Sequence, residues 1–293
     1  MDTIYFNGKV RAMTSHLPEE AVLVRDGVIL SVGEFAPLLK EYIYTQKVDL
    51  KGGTLLPLVP EGEGAVPRTV IELDCGPGES DAAPGQILGA VREAGEQGVQ
   101  IAARCFTDTA IDRFLSALVS AGYPARLRPV ILGGEMMEKD QLVRAKRLGV
   151  GVEFSVVEML ENSAALKKEL GERAMLLCPC WSALKRGVPF TFSQTDETLL
   201  SAVFAASQRR TADGEILGRG ERISIYEALR AATVGRAWCR HRDDCGDVAP
   251  GMEANFLIFD RDMLDADEDE EQARVHLTRI IHRNKAVWSR AEK

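Results

Sequence analysis

Apolar and polar positions alternate in short runs at both ends of the chain, and in the middle apolar residues recur at helical spacing. Near the start, Thr3-Ile4-Tyr5-Phe6 and Lys9-Val10-Arg11-Ala12-Met13 flank Asn7-Gly8. Both turn residues tolerate positive φ, so the pattern predicts a hairpin. Ala21 to Arg25, Asp26-Gly27 and Val28 to Val32 predict a second hairpin of the same design. Glu34 to Tyr44 places Phe35, Leu38, Leu39, Tyr42 and Ile43 at helical intervals. Val48-Asp49-Leu50 reads as a short strand. Thr54-Leu55-Leu56, led in by Gly52-Gly53 and closed by Pro57, reads as a buried one. From Pro57 to Pro67 the chain is rich in Gly, Pro and Glu and has no period, which predicts a loop.

From about Arg68 to Arg240 strand and helix patterns alternate. Strands are predicted at Thr69 to Leu73, Val99 to Ala103, Arg128 to Leu132, Gly151 to Val157 and Pro189 to Ser193. Helices are predicted at Gln86 to Gln97, Thr107 to Ala121, Lys139 to Leu148, Thr198 to Gln208 and Ser224 to Ala237. Such alternation implies parallel strands, because each parallel connection needs a crossover of a dozen or more residues. After Cys245 the hairpin style returns with Ala254 to Phe259, Val275 to Ile281, a turn at Asn284-Lys285 and Ala286-Val287-Trp288. The class is therefore α/β. Residues 1–57 and 245–293 are expected to form a discontinuous small β-sandwich domain, and residues 58–244 a βα-repeat domain.

Composition narrows the functions. The chain has 293 residues, 45% hydrophobic and 27% charged, as an ordinary globular protein does. A net charge of −8 without a basic patch argues against nucleic acid and anionic membrane as partners. The acidic run Asp260 to Glu271 reads as a solvated segment, since it lacks the glycine and spacing of an EF-hand loop. No apolar stretch is long enough to span a bilayer, and the N-terminus lacks a signal-peptide pattern, so a cytoplasmic location is expected. Six cysteines are too few for a disulfide framework. Neither Cys178-Pro179-Cys180 nor the group Cys239, His241 and Cys245 has the paired spacing of a structural zinc site. Buried thiols are expected, including Cys105, although its neighbour Arg104 would favour a thiolate nucleophile.

The opening strips DTIYFNGKVRAM, EEAVLVRDGVILSVGE and VDLKGGTLLP, the long segment from Arg209 to Leu264, and the closing VHLTRIIHRNKAVW together resemble the amidohydrolase superfamily. The resemblance is to its YtcJ-like, amidohydrolase-3 branch. It implies a TIM-type (β/α) barrel with zinc or another divalent metal at the C-terminal strand ends, where bound water is activated for hydrolysis. The chain is short between Pro57 and Gln86, so a truncated or distorted barrel of about six strands is expected.

The resemblance also locates the metal ligands, and the expected residues are replaced. The first-strand His-x-His falls on Glu63 and Ala65. In VQIAARCFTDTAID a ligand His position holds Arg104, and in RPVILGGEMMEKD another holds Gly133. The eighth-strand Asp falls on Thr195, with Asp196 one residue on. A lysine position falls among Val70, Ile71 and Glu72. The histidines present, His16, His241, His276 and His282, lie outside the barrel strand ends.

The expectation is a catalytically degenerate amidohydrolase-like protein with no metal cofactor, retained for ligand binding or an assembly role. The alternative is a hydrolase of non-peptide carbon-nitrogen bonds with a relocated, carboxylate-based site. Its catalytic candidates are Glu63, Arg104, Asp108 and Asp196, with Glu61 and Asp74 as further carboxylates. A small-molecule ligand at the barrel mouth and a homo-oligomer are the expected partners, the latter because an incomplete barrel leaves strand edges to be paired.

Overall fold

Asn7-Gly8 does not close a hairpin. In the computed structural model, which describes residues 2–61, 67–73, 84–264 and 275–290, β1 (Thr3–Phe6) and β2 (Lys9–Val10) belong to different sheets. The two-residue turn that suits a hairpin needs positive φ at both central positions. Asn7 has it, at 56°, but Gly8 does not. Gly8 is instead needed for space, because a β-carbon there would lie 2.4 Å from the Gly53 carbonyl oxygen. The next pair matches the pattern. β3 (Ala21–Arg25) and β4 (Val28–Gly33) are antiparallel, and Asp26 and Gly27 have φ of 50° and 82°. α1 (Phe35–Glu41), β5 (Gln46–Asp49) and β6 (Thr54–Pro57) follow.

The chain then builds a second compact unit, residues 64–242. Its strands are β7 (Arg68–Glu72), β8 (Gln100–Arg104), β9 (Val130–Leu132), β10 (Gly151–Phe154) and β11 (Phe190–Phe192). All are parallel and lie in sequence order across one five-stranded sheet. Among the described residues these are the five strands that the pattern predicts, in an open sheet where the resemblance implies about six barrel strands. The crossovers are helical. After β7 comes α2 (Pro84–Gln97), after β8 α3 (Asp108–Ala121) and after β9 α4 (Lys139–Leu148).

The ends of these helices are written in the sequence. Thr107 Oγ accepts from the Ala110 amide at 3.2 Å to start α3, and left-handed Gly122 stops it. The buried face carries Ile111, Phe114, Leu115 and Leu118. α4 is bounded by a Glu138/Gln141 capping box and left-handed Gly149.

Between β10 and β11, where the apolar pattern marks no helix, the chain forms α5 (Val156–Glu161), α6 (Ser163–Leu170) and α7 (Cys180–Arg186). α8 (Leu199–Gln208) and α9 (Ile225–Arg230) come after β11, and a π-helical turn at Ala231–Gly235 leads into α10 (Arg236–Cys239). Cys239 of α10 packs on Ala102, Val130 and Leu132 of the sheet. The one long helix anticipated over Ser224 to Ala237 is thus divided by a π turn.

The first unit is completed by the chain's return. β12 (Phe256–Phe259), β13 (Leu277–His282) and β14 (Lys285–Ser289) join β6 and β2 in the order β14-β13-β12-β6-β2, while β4-β3-β1-β5 form a second sheet. The turn between β13 and β14 is Arg283-Asn284, with φ of 46° and 66°, one residue earlier than anticipated. β6 is buried along its whole length between β12 and β2. One apolar cluster draws Tyr5, Val22 and Val24 from one sheet and Leu55, Phe256 and Ile281 from the other. This unit comprises Met1–Glu63 and Asp243–Lys293. Asp262 is buried within it against Arg11, with Lys9 Nζ 3.0 Å away.

Candidate functional site at the C-terminal ends of the parallel strands

In a parallel α/β sheet the carboxyl ends of the strands face the loops, and there a site is sought. Five successive strands place Glu72, Arg104, Gly133, Ser155 and Ser193 at or just beyond those ends.

Arg104 and Glu72 are paired in register across β8 and β7, and the guanidinium Nε donates to Glu72 Oε1 at 2.9 Å. Both side chains are about half exposed, at 49% and 54%, so this is a solvated ion pair of small energetic weight. Asp108 opens α3, and Arg173 Nη2 donates to it at 2.7 Å. That bond, opposed by slight burial and helped by the Thr109 amide, holds the Asp108 carboxyl below the usual carboxylate range. Arg104 and Asp108 therefore answer to different partners. Asp196 lies in the turn before α8. There the Thr195 amide donates to Thr198 Oγ1 at 2.7 Å, and the Thr198 amide returns to Thr195 Oγ1 at 3.3 Å. Thr195 is occupied with turn formation. Glu63, Ala65 and Asp74 lie outside the described residues.

At β9 the backbone excludes a side chain. Gly133 has φ of +78°, and a β-carbon on it would stand 2.7 Å from Cε1 of Phe106. The phenyl ring occupies the space that any side chain at this position would enter.

Two residues further on is Glu135, which the sequence reading did not single out. Its Oε1 accepts the Ser155 amide at 2.7 Å, and its carbonyl accepts the Cys178 amide at 2.8 Å. Burial pushes its carboxyl up from the ordinary value, against the lowering effect of hydrogen bonds from the Ser155 amide and side chain and from its own amide, and the nearby Glu158 charge adds to the rise. Glu135 opens onto a cavity of about 350 Å³, lined also by Phe106, Ser155, Glu158, Met159 and Leu177. Met136 and Leu177 are shared with a neighbouring cavity of about 360 Å³. In its wall Glu221 accepts from the Ser182 amide and hydroxyl at 2.8 and 2.7 Å.

Behind the first cavity is Arg209, which is fully buried. Its guanidinium donates to the carbonyls of Leu217 (2.7 Å), Leu177 (2.7 Å) and Cys178 (3.1 Å), and touches Met159 Sδ. It fixes the Leu177–Cys178 loop without a carboxylate. Cys178 and Cys180 are buried thiols, with burial pushing Cys178 well up and Cys180 up to about 12. Cys105 is also a buried thiol, whose amide is spent on the Leu132 carbonyl. None of these has the exposure of a reactive thiolate.

Among the described residues, the donor set does not fit the metal that the fold implies. Among the described residues no three His, Cys, Asp or Glu side chains are grouped to hold an ion. Of the positions where the resemblance places ligand histidines, 104 carries a guanidinium and 133 a glycine packed against the Phe106 ring. Of the histidines, His276 pairs with Asp260 at 2.9 Å in the first unit.

The parallel βα unit has the mixed α/β fold of metal-dependent hydrolases. A solved structure of an uncharacterized metal-dependent hydrolase from Pyrococcus horikoshii OT3 superposes with a TM-score of 0.76 at 13% identity, covering 92% of this chain and 99% of that one. A second, from Pyrococcus furiosus, gives 0.73 at 13%, covering 90% and 100%. A. niger ochratoxinase gives 0.70 at 14%, covering 97% and 95%. The model of the amidohydrolase family matches residues 61–280, and the chain belongs to that family, in its amidohydrolase-3 branch. Over 200 residues it is 22% identical to YtcJ of Bacillus subtilis (strain 168), which is named as an amidohydrolase. The alignment takes in 65% of this chain and 37% of that relative's length.

Proposed function

We propose that this chain is an amidohydrolase-family member that has given up metal-dependent hydrolysis, with a truncated, open barrel whose mouth is retained for binding a small molecule. The observation that carries the reading is the pairing of Gly133 with Phe106. A glycine in left-handed conformation stands where the family places an imidazole, and a ring fills the vacated volume. Arg104, paired with Glu72 at the next strand end, supports it, since a guanidinium carries no lone pair with which to ligate a metal. A fold shared with hydrolases does not by itself carry their chemistry, which resides in the side chains of the site.

The test is elemental analysis of the purified protein together with hydrolysis assays on amide and ester panels, with zinc, manganese or iron supplied. Substoichiometric metal and background rates are expected. About one bound metal per chain, or turnover that a chelator abolishes, would overturn the reading.

A further inference from the structure

The cavity beyond the ends of β8, β9 and β10 has charge of one sign set in apolar walls. Phe106, Met136, Met159, Leu166, Leu170 and Leu177 supply most of its surface. Glu135 and Glu158 are the charged side chains that line it, and the lining contains no lysine or arginine. We propose that this cavity binds a small organic amine in its ammonium form, with the apolar body against the Met and Leu side chains and the charge at Glu135. This rests on the reading above that the mouth is kept for ligand binding.

The Glu135 carboxylate is held by neutral donors alone, the Ser155 amide at 2.7 Å, the Ser155 side chain and its own amide, and it forms no ion pair among the described residues. Burial without a counter-charge is costly for a carboxylate, and an arriving ammonium supplies what burial removed. Arg209, buried behind the wall, does not do so, because its donors are committed to the carbonyls of Leu177, Cys178 and Leu217. A carboxylate ligand would meet two acids, and a neutral one would leave Glu135 as it is. At about 350 Å³ the cavity is at the small end of ligand sites.

The whole chain is titrated by calorimetry with three probes of similar size: phenethylamine, 2-phenylethanol and 3-phenylpropanoate. The amine is expected to bind at least about tenfold more tightly than the alcohol, and the carboxylate not to bind, the margin shrinking as salt is raised. Glu135→Gln should lower amine affinity about tenfold, leave the alcohol unchanged and not lower the melting temperature. Equal binding of amine and alcohol, preference for the carboxylate, or an unaltered amine affinity in Glu135→Gln would overturn the proposal, as would saturation of the site by zinc alone. The wild-type comparison needs no variant to fold. A protein that takes the amine yet carries metal and hydrolyses amides keeps this inference and loses the reading above; one that does neither loses only this inference.

Discussion

The ring of Phe106 and the backbone of Gly133 occupy each other's space: a β-carbon on Gly133 would come within 2.7 Å of the ring, at a φ of +78°. A side chain at 133 therefore meets both a strained backbone and a clash. Gly133→Ala should lower stability by about 1–3 kcal/mol. In a double-mutant cycle with Phe106→Ala, the loss should be smaller than the sum of the two singles, because removing the ring relieves the clash and leaves the backbone term. Urea denaturation of the four proteins checks this, and strict additivity would show that the ring is not in the way.

The buried pair of Arg11 and Asp262, 7% and 3% exposed, should respond to removal of one partner. Asp262→Ala leaves a buried guanidinium and should cost about 3–5 kcal/mol at neutral pH. Burial alone would raise the Asp262 carboxyl. The bonds from Arg11, the Leu264 amide and Lys9 outweigh it and hold the group below its ordinary value. The folded value lies under the unfolded one, so the stabilisation is present above about pH 4 and is lost as pH falls through the folded value. The gap between wild type and Asp262→Ala, measured by denaturation from pH 7 downwards, should narrow in that acid window.

Glu135 carries the opposite sign. Its folded value is raised above an unfolded value of about 4.3, so its favourable, protonated state is fully present below that pH and is lost as pH rises through the folded value. Glu135→Gln keeps an oxygen for the Ser155 amide and removes the charge. Its melting temperature should match wild type near pH 4 and exceed it at pH 8. A variant less stable than wild type at pH 8 would contradict the assignment.

Arg209→Met should be the most damaging single change in the parallel unit. It removes the donors held by the carbonyls of Leu217, Leu177 and Cys178 in a fully buried place. With about 1–3 kcal/mol for each buried polar group left unsatisfied, the loss should be about 3 kcal/mol or more. The measurement is the urea midpoint at an unchanged slope.

Much of the fold was legible where local chemistry agrees with the tertiary structure. Asp26-Gly27 closes a hairpin because both residues take left-handed φ, and α4 runs from Lys139 to Leu148 as its spacing indicates. Asn7-Gly8 has the same composition and a different use. There the glycine answers to the approach of Gly53 and Leu50, residues more than forty positions away that no local pattern reveals. α5 to α7 are short, and their apolar faces run for too few turns to establish a period.

For the site, the resemblance offered a set of replaced positions, at Arg104, Gly133 and Thr195, and no arrangement of side chains. Glu135 follows a Gly-Gly pair at a strand end, which is a positional signal. Its distinguishing property comes from Ser155, Glu158 and Cys178, which surround it only after folding.

Strand β6 lies between β2 and β12, and Asn284 bridges Tyr5 Oη (2.8 Å) and Thr3 Oγ1 (2.9 Å). On the ribosome this has a cost in time. The first 57 residues leave the exit tunnel with one edge of β6 unmatched, and its partner Phe256–Phe259 is translated about 200 residues later, on the order of ten seconds or more at ordinary elongation rates. The parallel unit, whose neighbouring strands are successive in the chain, can assemble meanwhile from nearby segments. The nascent chain therefore passes through a period in which one edge of the apolar strand β6 must be shielded by something other than β12.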